Sequence, residues 1–155
     1  MSPFTLENPV FATYVVAAGL AILKMIGHAF LTVQRMMSTK GGWASPEDLR
    51  RTLLNPSPDP AQLGPNDAVD RARRMHRNEG ENTPPFLVAG LLFVAASPPA
   101  WLAALLLYGY VAARVAHAWA YATARDHEVR ATFFTLGAIS TVTMAGYAIV
   151  AALRA

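Results

Sequence analysis

"RARRMHRNEGENTPPFLVAGLLFVAA", residues 71–96, opens with four arginines, a histidine, two glutamates and two asparagines in twelve positions and closes as an unbroken apolar run. Either the charged part is a solvated run that precedes a membrane helix, or it is the polar end of that helix. The two readings differ in spacing. A solvated run scatters its charges around the axis, whereas a working helix end gathers them on one face.

The rest of the chain sets the context. It has 155 residues, of which 54% are hydrophobic and only 15% charged, with a mean hydropathy of +0.28. Soluble domains carry about 25% charged residues, so the composition points to an integral membrane protein. There is no cysteine. Disulfides, thiolate metal sites and a protein-borne thiol nucleophile are therefore excluded, and any thiol chemistry needs a thiol supplied by a ligand. The net charge is +3, and no basic block with interleaved aromatics suggests nucleic acid.

A bilayer core takes about 20 mostly apolar residues per helix. Four segments qualify, at roughly 10–33, 67–96, 99–124 and 131–153, and with no internal repeat or linker they predict one all-α, four-helix membrane bundle spanning 1–155. The N-terminal "MSPFTLENP" lacks a basic region and is read as the lead-in to a permanent span, not a signal peptide. Residues 34–66 form the one long loop. In it "SPEDLRR" reads as a short helix capped by Ser45, and "NPSPDPAQLGP" as extended chain. Arg35, Lys40, Arg50 and Arg51 in this loop, with Arg125 and Arg130 in the third, place both loops on the cytoplasmic side and both termini on the other.

The spacing favours a working helix end. Arg74, Arg77, Asn78 and Glu81 follow i, i+3, i+4, i+7; Arg114, His117 and Tyr121 follow i, i+3, i+7; and Lys24, His28 and Arg35 lie close to one face of the first span. Ionisable side chains in spans face the bundle interior or a watery cavity, so three stripes at one end predict one shared pocket. Arginine forks there bind carboxylates, Glu81 holds an ammonium, and Asn78 serves amide groups of either polarity. Blander readings stand beside this one. Arg71 and Arg73 read as phosphate-facing or loop-pairing, Lys24 and His28 as buried bundle contacts, and His76 as either structural or part of the site. Glu81 bridging arginines would make the second-helix stripe a structural lattice. The histidines lack partners at metal-ligand spacing. Gly137, Thr141 and Ala145 read as a small-residue packing seam, and Pro84 and Pro85 predict a kink where the polar part ends.

The stretch "RARRMHRNEGENTPPF", followed by "RVAHAWAY" and accompanied by "LKM" and "PED", resembles the MAPEG family, the membrane-associated proteins in eicosanoid and glutathione metabolism, from about Leu23 to Phe134. The resemblance implies a homotrimer that binds glutathione between neighbouring subunits on the cytoplasmic side and acts on a lipophilic substrate held with membrane lipid. It assigns glutathione contacts to Arg35, Arg74, His76, Arg77, Asn78, Glu81, Arg114, His117 and Tyr121, and thiolate stabilisation to Arg130. The serine and the tyrosine that follow this arginine in the family's prostaglandin-isomerising branch are here Ala131 and Phe134. A transferase or peroxidase resting on Arg130 survives that loss better than an isomerase does. The competing readings are a non-catalytic binder of the same fold and a lipid-binding or transport scaffold.

Overall fold

The computed structural model describes residues 2–154. They form four helices in succession: α1 (Pro9–Thr39), α2 (Asp67–Ala95), α3 (Ala100–Ala122) and α4 (His127–Leu153). Asn8 caps α1, its Oδ1 accepting the Val10 N–H at 3.0 Å. The helix runs past the expected end near 33 to Thr39 and stops where Lys40 turns left-handed, at φ 48°, so Arg35 is helical. Asn66 starts α2 by accepting the N–H groups of Ala68 and Val69 at 3.1 and 3.2 Å, and Asp67 and Asp70 complement the helix dipole there. Asp126 caps α4 through the Val129 N–H at 3.1 Å. That cap sets the start at His127, not at the first apolar residue near 131, and puts Arg130 in the first turn.

α2 continues unbroken through Pro84 and Pro85. The two prolines leave the carbonyls of Gly80 and Glu81 without their helical donors, and both of those residues are exposed. In the α1–α2 loop, only Pro46–Leu49 of the expected short helix coils, as a 3-10 turn. The stretch expected to be extended also coils at Pro60–Leu63. There Asp59 accepts the Ala61 N–H at 2.8 Å, and Gln62 accepts the Asp59 N–H at 3.2 Å. This reciprocal cap outweighs the extended preference of the surrounding prolines.

The helices pack α3 on α4, α1 on α2 and α2 on α4. Phe86, Ala89, Phe93, Val94, Leu107, Tyr110 and Met144 fill the centre, where the rings of Phe86 and Tyr110 stack with centroids 3.7 Å apart. The outward faces stay apolar, with Leu23, Phe30, Trp101, Ile139 and Val142 exposed, as the surface of a lipid-embedded bundle requires. α1, α3 and α4 are each long and apolar enough to cross a membrane. α2 spans about 43 Å at 1.5 Å per residue, but its charged first half lowers its hydropathy and only its second half is lipid-like.

Helix approach depends on small residues. A Cβ on Gly90 would lie 2.8 Å from Cε2 of Tyr14, a ring held in place by its hydroxyl donating to the Leu87 carbonyl at 3.0 Å. Gly90→Val is expected to push α1 from α2 and to lower stability by about 1–3 kcal/mol, read as a drop in the unfolding midpoint of the detergent-solubilised protein. A Gly19→Val control, where a Cβ meets nothing within 4 Å, should leave the midpoint near wild type.

Candidate functional site

The charged half of α2 divides between two sides of the helix. Val69, Ala72, Met75, Glu79, Thr83 and Phe86 are its buried face. Arg74, Arg77 and Glu81 are exposed, and Asn78 lies between the two sides. Glu79 and Glu81 are two residues apart and so differ by about 200° around the axis.

Inside the bundle, Glu79 is 1% exposed. Its carboxylate pairs with the Lys24 ammonium of α1 and, at 3.1 Å, with Arg114 Nη2 of α3. Thr83 Oγ1 donates to its other oxygen at 3.0 Å, and His28 Nδ1 approaches to 3.9 Å. Arg114, also 1% exposed, donates from the same Nη2 to Asn78 Oδ1 at 2.7 Å. That bond fixes the Asn78 amide, with its oxygen toward the core and its NH2 free to serve the outer side. The stem of Arg114 crosses Gly137 of α4, where a Cβ would sit 3.2 Å from Arg114 Cδ; the small-residue seam is needed at this point. His117 is buried behind the cluster, its ring centroid 5.1 Å from that of Tyr121.

The outer arginines meet elsewhere. A cavity of about 220 Å³ between α2 and the α3–α4 turn is lined by Arg71, Arg74, Tyr121, Ala124, Arg125 and Arg130. The Arg130 guanidinium lies 4.8 Å from the Tyr121 ring centroid, and its Nε donates to the Asp126 carbonyl at 3.2 Å. A ring face attracts a cation and orients it. A second cavity of about 310 Å³ shares Arg71 and Tyr121 and adds Leu31, Arg35, Asp67, Ala68, Ala72, Met75 and Ala122. Small-molecule sites occupy roughly 300–1,000 Å³, so each cavity alone is at or below the lower end of that range. Arg77 and Glu81 line neither cavity.

The single pocket expected from three stripes therefore does not form among the described residues of the chain. Lys24, His28, Arg114 and His117 turn inward, while Arg35, Arg74, Arg77, Glu81 and Arg130 face outward. The bundle-contact reading of Lys24 and His28 matches their place against Glu79. Arg73 is loop-pairing, donating to the Gly42 carbonyl and to Asp70 Oδ1 at 3.3 Å. His76 is half-buried, and its Nδ1 finds no hydrogen-bond partner among the described residues. Two features went unread in the sequence. Glu79 continues the buried spacing of Met75, Thr83 and Phe86, and a carboxylate on that face was the available signal. Arg71 lines both cavities, a placement set by the packing of α2 against its neighbours and not by spacing within the helix.

A membrane-type four-helix bundle with a charged core and an arginine-lined end is the class these features define. The chain matches the MAPEG family over residues 14–150 and belongs to it. It is 33% identical to microsomal glutathione S-transferase 1 of Bos taurus, across 90% of this chain and 89% of that protein. It is 28% identical to prostaglandin E synthase of Homo sapiens, across 90% and 88%, and 40% identical over 83 residues to the human microsomal glutathione S-transferase 1.

Removing Glu79 strands two cations in the core, and breaking a buried ion pair typically costs about 3–5 kcal/mol. Glu79→Ala is expected to destabilise the solubilised protein on that scale. Glu81→Ala, on the exposed side, should stay within about 0.5 kcal/mol. Chemical denaturation of the two variants side by side checks the pair.

Proposed function

We propose that the chain is a glutathione-dependent membrane transferase, with Arg130 holding the glutathione thiolate. The observation that carries this reading is the convergence of Arg74, Arg130 and Tyr121, joined by Arg71 and Arg125, on one open cavity. Glutathione brings two carboxylates, an ammonium, two peptide groups and the thiol that this cysteine-free chain lacks. Its carboxylates suit the guanidinium forks of Arg71, Arg74 and Arg77, its ammonium suits Glu81, and a peptide carbonyl suits the Asn78 NH2. Arg35 completes the set at the neighbouring cavity, and the Nδ1 of half-buried His76, unpartnered among the described residues, is the further contact the family pattern assigns. Arg114 and His117 act from behind, Arg114 through Asn78.

The cavity is small for a tripeptide, and Arg77 and Glu81 face away from it. Both facts support a site finished by a neighbouring protomer, in a homotrimer whose glutathione sites face the cytoplasm. A free thiol of pKa about 8.5 is mostly protonated at neutral pH, and an adjacent guanidinium favours the thiolate. The thiol proton passes to solvent. The sulfur then bonds to the electrophilic carbon of a lipophilic substrate, and the displaced group leaves with the electron pair. A hydroperoxide dissolved in the bilayer is an alternative acceptor for the same thiolate. Ala131 and Phe134 put no hydroxyl beside Arg130, which favours conjugation over prostaglandin isomerisation.

Glutathione binding and the ultraviolet thiolate band, measured near neutral pH on the solubilised protein, test this directly. Arg130→Ala should retain binding within a few-fold while kcat with an aryl halide falls by about 10²-fold or more, the scale for losing one preorganised charge-stabilising donor. Glu81→Ala should instead weaken binding first. Absence of glutathione binding at millimolar concentration would remove the transferase reading and leave the lipid-binding scaffold.

A further inference from the structure

The loop joining α1 to α2 carries a turn whose tip is turned outward. Thr52 donates its backbone N–H to the Asn55 carbonyl at 3.1 Å, and the Asn55 N–H returns to Thr52 Oγ1 at 3.1 Å. Leu53 and Leu54 are the tip of the turn so closed. Leu53 is 100% exposed and Leu54 69%. The next residue is the opposite. Asn55 is buried, and its Nδ2 donates to Gln62 Oε1 at 2.7 Å and to the Asp48 carbonyl at 3.2 Å. Gln62 Nε2 donates back to Asn55 Oδ1 at 3.3 Å. The frame is tied down through the Trp43 N–H to the Gln62 carbonyl at 2.9 Å and through Arg73 to Gly42. Gly42 itself, at φ 70°, lies so close to Val69 of α2 that a Cβ would be 2.8 Å from it. A buried amide clasp thus holds a turn that displays two leucines outward.

Position and charge name the partner. A cavity of about 190 Å³ is lined by Met37, Lys40, Leu54 and Asn55 among others, which brings the tip to the end of α1. An exposed apolar stripe on α1, Leu23, Ile26, Phe30, Val33 and Met37, runs up to the same place, so lipid-facing helix and leucine tip share one edge. At about 1.5 Å per residue α1 is about 46 Å long, against about 30 Å of bilayer hydrocarbon and about 40–45 Å with head groups. Its last turn therefore lies at head-group level. Arg50 and Arg51, both exposed, stand immediately before the tip. Apolar side chains preceded by two guanidinium groups, with Asp48 engaged by the Ser45 N–H one turn back, fit an anionic lipid surface, where the leucines enter the acyl boundary and the arginines meet phosphates.

We propose that Leu53 and Leu54 dip into the bilayer surface that α1 crosses, held there by Arg50 and Arg51 on anionic lipid head groups. This anchor is independent of glutathione binding and turnover. Because the chain has no cysteine, Leu53→Cys carries one label at one site, and Leu54→Cys serves as a second position. An environment-sensitive fluorophore on either variant is read in vesicles of phosphatidylcholine with or without phosphatidylserine. With phosphatidylserine the emission should shift to the blue and be quenched by nitroxide lipids, and both effects should shrink without it. The Arg50→Gln/Arg51→Gln double variant should lose them in the same way. Water-like emission at both positions in both vesicles overturns the proposal. So does quenching that ignores lipid charge and the arginines, or a disulfide joining two copies of the unlabelled Leu53→Cys variant, which would make the tip a protein contact.

Discussion

A carboxylate inside a membrane bundle stays ionised only if cations come to it, and Glu79 obtains them from two other helices. Lys24 reaches it from α1 and Arg114 from α3. Each pairing sets the rotation of a helix about its axis, because a long side chain that has to end on one oxygen leaves its backbone little choice of face. With Glu79 turned inward, helical geometry sends Arg77 and Glu81 outward. The path of Arg114 then runs close over position 137, where a Cβ would sit 3.2 Å from its Cδ, and the Nη2 that meets Glu79 also orients Asn78.

The two sets of charges in α2 consequently do different work. The inner set pairs on Glu79 and binds helix to helix, with apolar layers of Phe86, Phe93, Leu107 and Tyr110 below it. The outer set has no comparable ion pairs among the described residues; Arg71 and Arg74 meet the α3–α4 turn, while Arg77 and Glu81 lie exposed outside that cavity. Arginines at the turn are strongly cationic, open to solvent and close to the lipid-facing surface. The arrangement agrees with membership of a family whose relatives include microsomal glutathione S-transferase 1 and prostaglandin E synthase.

Much of this was readable in the residues. Apolar run lengths predict four helices in their order, and the proline pair after Ser97 explains why the connection between α2 and α3 is short. The arginine spacing separates a polar helix end from a solvated run. The start of α4 was less legible, since counting apolar residues finds the lipid-facing part of a helix while a cap at Asp126 begins it one turn earlier. The α1–α2 loop was least legible, because its 3-10 turns rest on reciprocal side-chain caps and an amide pair, Asn55 with Gln62, that local propensity does not report.

By itself, then, the sequence determined the class of structure, the number of helices, the charged end and the family pattern. These follow from hydropathy and from spacing within single helices. Which charge faces which neighbour was decided by the tertiary structure alone. A stripe on one helix has no inside or outside until the others pack against it. Glu79 and Glu81 are chemically alike and two positions apart, and only the arrival of Lys24 and Arg114 buries one and leaves the other exposed.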